Sequence, residues 1–158
     1  MENNNKRIYK LLFKNEEKRT ALIKEFEECL FLNIQKIESD WKLNGEIENN
    51  TQKYHDYSDS VMEEIQKLND ELKKISEEES DAFQKDVKTL LNLESDNYKI
   101  TLNIFINKLK RFDMIKNEED ENKILKKDKE ILLLKENLSS IREKINDFIT
   151  NLKYKYLY

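Results

Sequence analysis

The sequence predicts an all-α protein, with three or four long amphipathic helices that form an antiparallel bundle or an extended coiled-coil hairpin. Three observations carry this expectation. The first is the scarcity of turn-forming residues. The chain of 158 residues has one glycine, Gly45, and no proline, where average usage would give about 11 and about 8. Sheets and tight turns draw on both residue types. The second is heptad spacing. Ile131, Leu134, Leu138, Ile141, Ile145, Phe148 and Leu152 alternate steps of three and four, the stripe of a helix that lies along another helix. Val61, Ile65, Leu68, Leu72 and Ile75 repeat the pattern. The third is composition. Charged residues make up 39% and hydrophobic residues 37% of the chain, which favours narrow apolar stripes over a thick core.

The chain reads as one helical unit, residues 1–158, and its elements can be taken in order. Residues 1–7 are polar and expected to fray. Residues 6–14 mix basic and apolar side chains. They read either as a short amphipathic helix that touches a membrane surface or a partner groove, or as the first turns of helix 1 with Ile8, Leu11 and Leu12 facing inward. The second reading is the simpler one. Helix 1 is expected over about 8–43 and continues through Leu22, Ile23, Phe26, Leu30, Ile34, Ile37 and Trp41. Its face is wider than one seam, which suggests two neighbours. Trp41 is expected to pack near the helix end. Asn44-Gly45 is the strongest turn signal, so a loop is expected over 44–50, with Thr51 as a candidate cap.

Helix 2 is expected over about 51–78. A break near 76–81 and an unbroken rod with a register step are both open there. Ser76 and Ser80 each offer a capping signal, Ser76 the better match to a capping box. Helix 3, over about 81–115, is the most apolar stretch. Its line is Val87, Leu91, Tyr98, Leu102, Phe105, Leu109 and Phe112, widened by Leu90, Leu93, Ile100, Ile104 and Ile106. Seven polar residues from Lys116 to Asn122 predict a hairpin loop, and helix 4 follows over about 122–155. Glu63 to Asp81 carries eight acidic and three basic residues, while Lys123 to Lys155 carries nine basic and five acidic. This contrast favours pairing of helices 2 and 4. The chain ends in an aromatic tip, Tyr154 to Tyr158, which reads as fraying or as a docking tip.

Residues that could carry chemistry are few. His55 is the single histidine. Asp56, Asp59 and Glu63 could add oxygens, but a metal site at helical spacing wants a set such as His-Glu-x-x-His. No strained nucleophile turn, oxyanion hole or phosphate-cradling glycine loop is legible. No catalytic, cofactor or metal residue is therefore assigned, and the chain is expected not to be an enzyme. The net charge of −4 and the interleaving of opposite charges give no reason to expect nucleic acid. No run of 18 apolar residues predicts a membrane span, and the first residues form no secretory core. The lone Cys29 excludes an internal disulfide and fits a reducing, intracellular setting, cytoplasmic or cytoskeletal.

The resulting expectation is a structural or scaffold coiled-coil subunit. It would assemble with itself or with other helical chains through the stripes of helices 2 and 4, in a cytoskeletal or multi-subunit complex. The alternative is a self-contained helical-bundle adaptor in trafficking or signalling. The two differ in whether one chain covers its own stripes.

Overall fold

Helices with few glycines need side chains and left-handed residues to stop them, and such devices stand at Asn3, Ser80, Glu118 and Asp120. The computed structural model describes residues 3–44 and 51–158, with side chains over 3–41 and 56–158. Among the described residues the elements are α1 (Asn4–Asn44), α2 (Thr51–Ser76), α3 (Asp81–Lys116) and α4 (Glu121–Tyr156). The Asn44-Gly45 turn lies outside the described residues, and so does the side chain of Thr51.

The expected fraying needs correction for residues 4–7, because α1 starts at Asn4; residues 1–2 lie outside the described residues. The Asn3 side chain accepts from the Asn5 amide at 3.1 Å and satisfies one orphan donor of the first turn. Ile8 and Tyr9 then anchor that turn in the core. The inward face also differs in detail. Tyr9 and Phe13 join Ile8 and Leu12 inside, while Leu11 points outward, since the buried line of α1 advances by three or four residues at a time.

Between α2 and α3 the chain breaks. Ser80 is the working N-cap and accepts from the Phe83 amide at 3.3 Å. Ser76 instead donates to the Lys73 carbonyl. The Gln84 amide bonds the carbonyls of Ser76, Glu77 and Glu79, so one side chain ties the whole turn. The α3–α4 turn is a Schellman closure. The Glu118 amide bonds the Ile115 carbonyl, the Glu119 amide bonds the Met114 carbonyl, and Glu118 takes φ 53. That left-handed position is usually glycine. Asp120 then caps α4.

The helices alternate in direction. Tyr9 of α1, Leu72 of α2, Phe83 of α3 and Leu152 of α4 share one apolar cluster at one end. Trp41 of α1 meets Phe112 of α3 edge-on at 5.6 Å near the other end. α1 and α3 form the central pair. α2 packs against both of them, and α4 packs chiefly on α3 and more sparingly on α1. Among the described residues the backbones of α2 and α4 make no close approach and the two helices meet only as members of the shared end cluster, which overturns the pairing expected from their opposite charges. Exposed charge pairs contribute roughly 0–1 kcal/mol, whereas each buried large apolar side chain contributes about 1.5–3 kcal/mol. Apolar burial therefore decides the neighbours. No helix among the described residues is long and apolar enough to cross a membrane.

Candidate functional site: an open groove beside a buried polar layer

The predicted seams lie inside this chain. On α4, Ile131, Leu138, Ile145 and Leu152 are buried, and Leu134, Ile141 and Phe148 are half-buried. Ile141, Ile145, Phe148 and Leu152 belong to the four-helix cluster. On α2, Val61, Ile65 and Leu72 are buried, and Leu68 and Ile75 are half-buried. Val61 and Ile65 pack with Ile23, Phe26 and Leu30 of α1 and with Tyr98 and Phe105 of α3. The aromatic tip is divided. Tyr156 stacks on Tyr9 at 3.7 Å, while Tyr154 and Tyr158 are exposed.

A polar layer separates the two apolar clusters, with members from all four helices. Arg19 of α1 is completely buried. Its guanidinium donates to Asn69 Oδ1 at 3.0 Å, Glu16 Oε2 at 2.9 Å and Asn15 Oδ1 at 2.7 Å. Asn15 in turn donates to the Leu68 carbonyl. On the α4 side, Arg142 donates to Asn97 Oδ1 at 3.1 Å and holds both oxygens of Glu27, at 3.3 and 2.8 Å. A buried cation without partners would be very costly, so Arg19 is tolerated there because its guanidinium is bonded on three sides. The layer also fixes the axial register of the helices, since a slip by one turn would strand Arg19 among apolar side chains.

Burial pushes the Glu16 carboxyl up to about 8, and the neighbouring charge of Glu94 pushes the same way against Arg19. Near neutral pH Glu16 therefore carries a proton. Glu94 Oε2 is buried and has no hydrogen-bond partner among the described residues. A cavity of ≈ 350 Å³ opens beside this layer between α1 and α4, edged by Thr20, Lys24, Asn97 and Arg142.

Beyond the Glu27–Arg142 pair, α1 and α4 part. The second apolar cluster draws on α1, α2 and α3 but not on α4, so one side of the central pair stays open there. The resulting groove has Ile104 and Lys108 on its α3 floor. Phe31 and Ile34 line the α1 wall, and Lys135 and Leu138 line the α4 wall. Its wide part measures ≈ 730 Å³ and is lined also by Glu27, Arg142, Glu143 and Asp147, so both charges border it. Phe31 is 52% exposed. Burial pushes the Lys108 ammonium down, and the charge of Lys135 adds to the effect. Glu38 and Glu27 oppose the shift without reversing it. The outer face of α4 carries a second exposed apolar patch, Leu125, Leu132 and Leu133.

The chain matches no protein-family model, no curated protein and no solved structure. Its chemistry must therefore be taken from its own residues. Among the described residues no His, Cys, Asp or Glu cluster could hold a metal ion. The His55 side chain lies outside the described residues, and Asp56, Asp59 and Glu63 are exposed.

Sequence reasoning missed the polar layer, although a signal was present. The apolar line of helix 1 lapses between Leu12 and Leu22, and that of helix 3 lapses between Leu91 and Tyr98. Asn15, Glu16 and Arg19 fill the first gap, and Glu94 and Asn97 fill the second. Aligning the two gaps requires knowing that α1 and α3 run parallel.

Proposed function

We propose that the chain is a self-contained, non-enzymatic helical-bundle module that binds another helical protein chain, in the manner of an adaptor. One observation carries this reading: the heptad stripes of α2 and α4 are covered by α1 and α3 of the same chain. A chain that closes its own seams does not need a second copy to fold. The groove between α1 and α4 is the apolar surface left over, and helix-in-groove docking is the recognition mode that suits it. An intracellular setting accompanies this reading, because a sequence with a single cysteine suits a reducing compartment.

Size-exclusion chromatography with light scattering is the test. The module reading expects a monomer near 19.2 kDa. It also expects Leu138→Lys with Ile145→Glu to unfold that monomer, because both residues are buried. A folded double variant that has merely lost an assembly would sink the module and favour the second reading, a structural subunit built from copies or other coiled-coil chains. That second reading draws its support from Leu125, Leu132 and Leu133, each more than half exposed on the outer face of α4.

A further inference from the structure

We propose that two folded copies of this chain associate through the outer faces of their α4 helices, which meet antiparallel about a two-fold axis between Leu132 and Leu133. Each copy folds by itself, as the module reading has it, and the pairing joins finished bundles.

Packing within the chain leaves this face bare. α4 lies chiefly on α3 and sparingly on α1, so its far side meets no helix among the described residues. Leu125, Leu132 and Leu133 stand there 52%, 57% and 60% exposed. Positions 125 and 132 are two turns apart on one stripe, with 133 beside them. Single exposed leucines are ordinary on a surface, whereas a contiguous patch marks a contact.

The charges around the patch select its occupant. Lys129 lies one turn before the Leu132–Leu133 pair, and Glu136 lies one turn after it. Both are exposed, and neither makes an ion pair among the described residues. Neither has an opposite charge three or four residues away, the spacing at which a helix pairs its own charges. A stripe that runs from a cation through two leucines to a carboxylate is its own complement once the second copy is reversed. About the two-fold axis, Leu132 rests on the partner's Leu133, and Lys129 faces the partner's Glu136. Leu125 meets the partner's Ser140, which is small enough to leave it room. From 125 to 140 no facing positions carry like charges. A parallel copy would instead set lysine on lysine and glutamate on glutamate, which is disfavoured. The groove between α1 and α4 gives no such selection, because both charges border it.

A contact that places the same patch on both copies closes on itself and stops at a dimer. The matched stretch is about 22 Å of helix, with three exposed leucines from each copy. That puts it among the small interfaces, below about 1,200 Å², with a dissociation constant on the order of 10–100 μM. The chain is then a monomer at the dilution of a sizing column and a dimer when concentrated.

Sedimentation equilibrium of the full chain over a range of concentrations is the test, with a circular-dichroism melt of each sample. The mass is expected to rise from 19.2 kDa toward twice that value. Leu132→Gln with Leu133→Gln should abolish the rise and leave the melt of the dilute protein unchanged, because both side chains are more than half exposed. Lys129→Glu alone and Glu136→Lys alone should each weaken the dimer about tenfold, since each sets like charges together at both symmetry-related places. The two changes combined exchange the ends of the stripe and should restore wild-type association. A mass that stays at 19.2 kDa up to about 1 mM would overturn the proposal. So would a dimer indifferent to the leucine variant, or single charge variants that associate as the wild type does. Those failures leave the module reading standing. A wild-type chain that loses its helix on dilution would sink both, because copies would then be needed to fold.

Discussion

Replacing Glu16 with glutamine should remove most of the pH sensitivity that the polar layer confers on folding. The Glu16 carboxyl titrates at an ordinary 4.5 when the chain is unfolded and at about 8 inside the layer. Its folded value is the higher one, so the folded state holds a proton that the unfolded state has released throughout this window. Stability from this group is fully present below about 4.5, declines as pH rises through the window, and is gone above about 8. At about 1.36 kcal/mol per unit, the loss is at most about 5 kcal/mol, a large fraction of the roughly 5–15 kcal/mol that holds a domain together. Glutamine keeps a donor for Glu94 and an acceptor for Arg19 but cannot ionise. The two proteins should therefore melt together near pH ~5, with the variant ahead by roughly 10 °C near pH ~9. Thermal melts followed by circular dichroism across that range would decide it. A wild-type curve with no decline relative to the variant would refute the assignment of a buried proton to Glu16.

Other substitutions probe separate parts of the fold. Glu118→Gly should stabilise the chain by about 0.5–1 kcal/mol in urea unfolding, because Glu118 sits at φ 53 where glycine carries no steric penalty. A loss of stability would mean that the carboxylate itself supports the turn. Asn33→Leu should add about 1–3 kcal/mol, since the Asn33 amide is buried with neither its nitrogen nor its oxygen bonded among the described residues. An unchanged or lower unfolding midpoint would show that the amide is satisfied in solution. Tyr9→Phe should cost about 1.5–3 kcal/mol, because the buried phenol donates to the Asp86 carboxylate. Burial and that bond raise the Tyr9 hydroxyl above its ordinary range, so wild-type absorbance at high pH should show one tyrosine that ionises only on unfolding.

The all-α architecture was readable from residue spacing, with three or four helices expected and the break near 76–81 left open. Helix formation depends on neighbours three and four residues away, and these are fixed along the chain. The lapses in helices 1 and 3 were readable too, but only as interruptions. Ser80 won over Ser76 as the cap because the three carbonyls gathered by Gln84 settle the turn geometry, and no local motif encodes that.

What the sequence determined by itself was the set of faces: which side of each helix is apolar and which is charged. Those properties are local, set by propensity and by a period of 3.6 residues. Only the tertiary structure decided how the faces combine. It placed α2 and α4 apart on opposite sides of a parallel α1–α3 pair, closed both heptad seams within one chain, and stacked the two polar lapses into a single layer around Arg19. It also left the α1–α4 side open below Arg142. Pairing is a competition among all faces for burial, and its outcome depends on distances between residues more than a hundred positions apart, such as Glu27 and Arg142, which no local pattern carries.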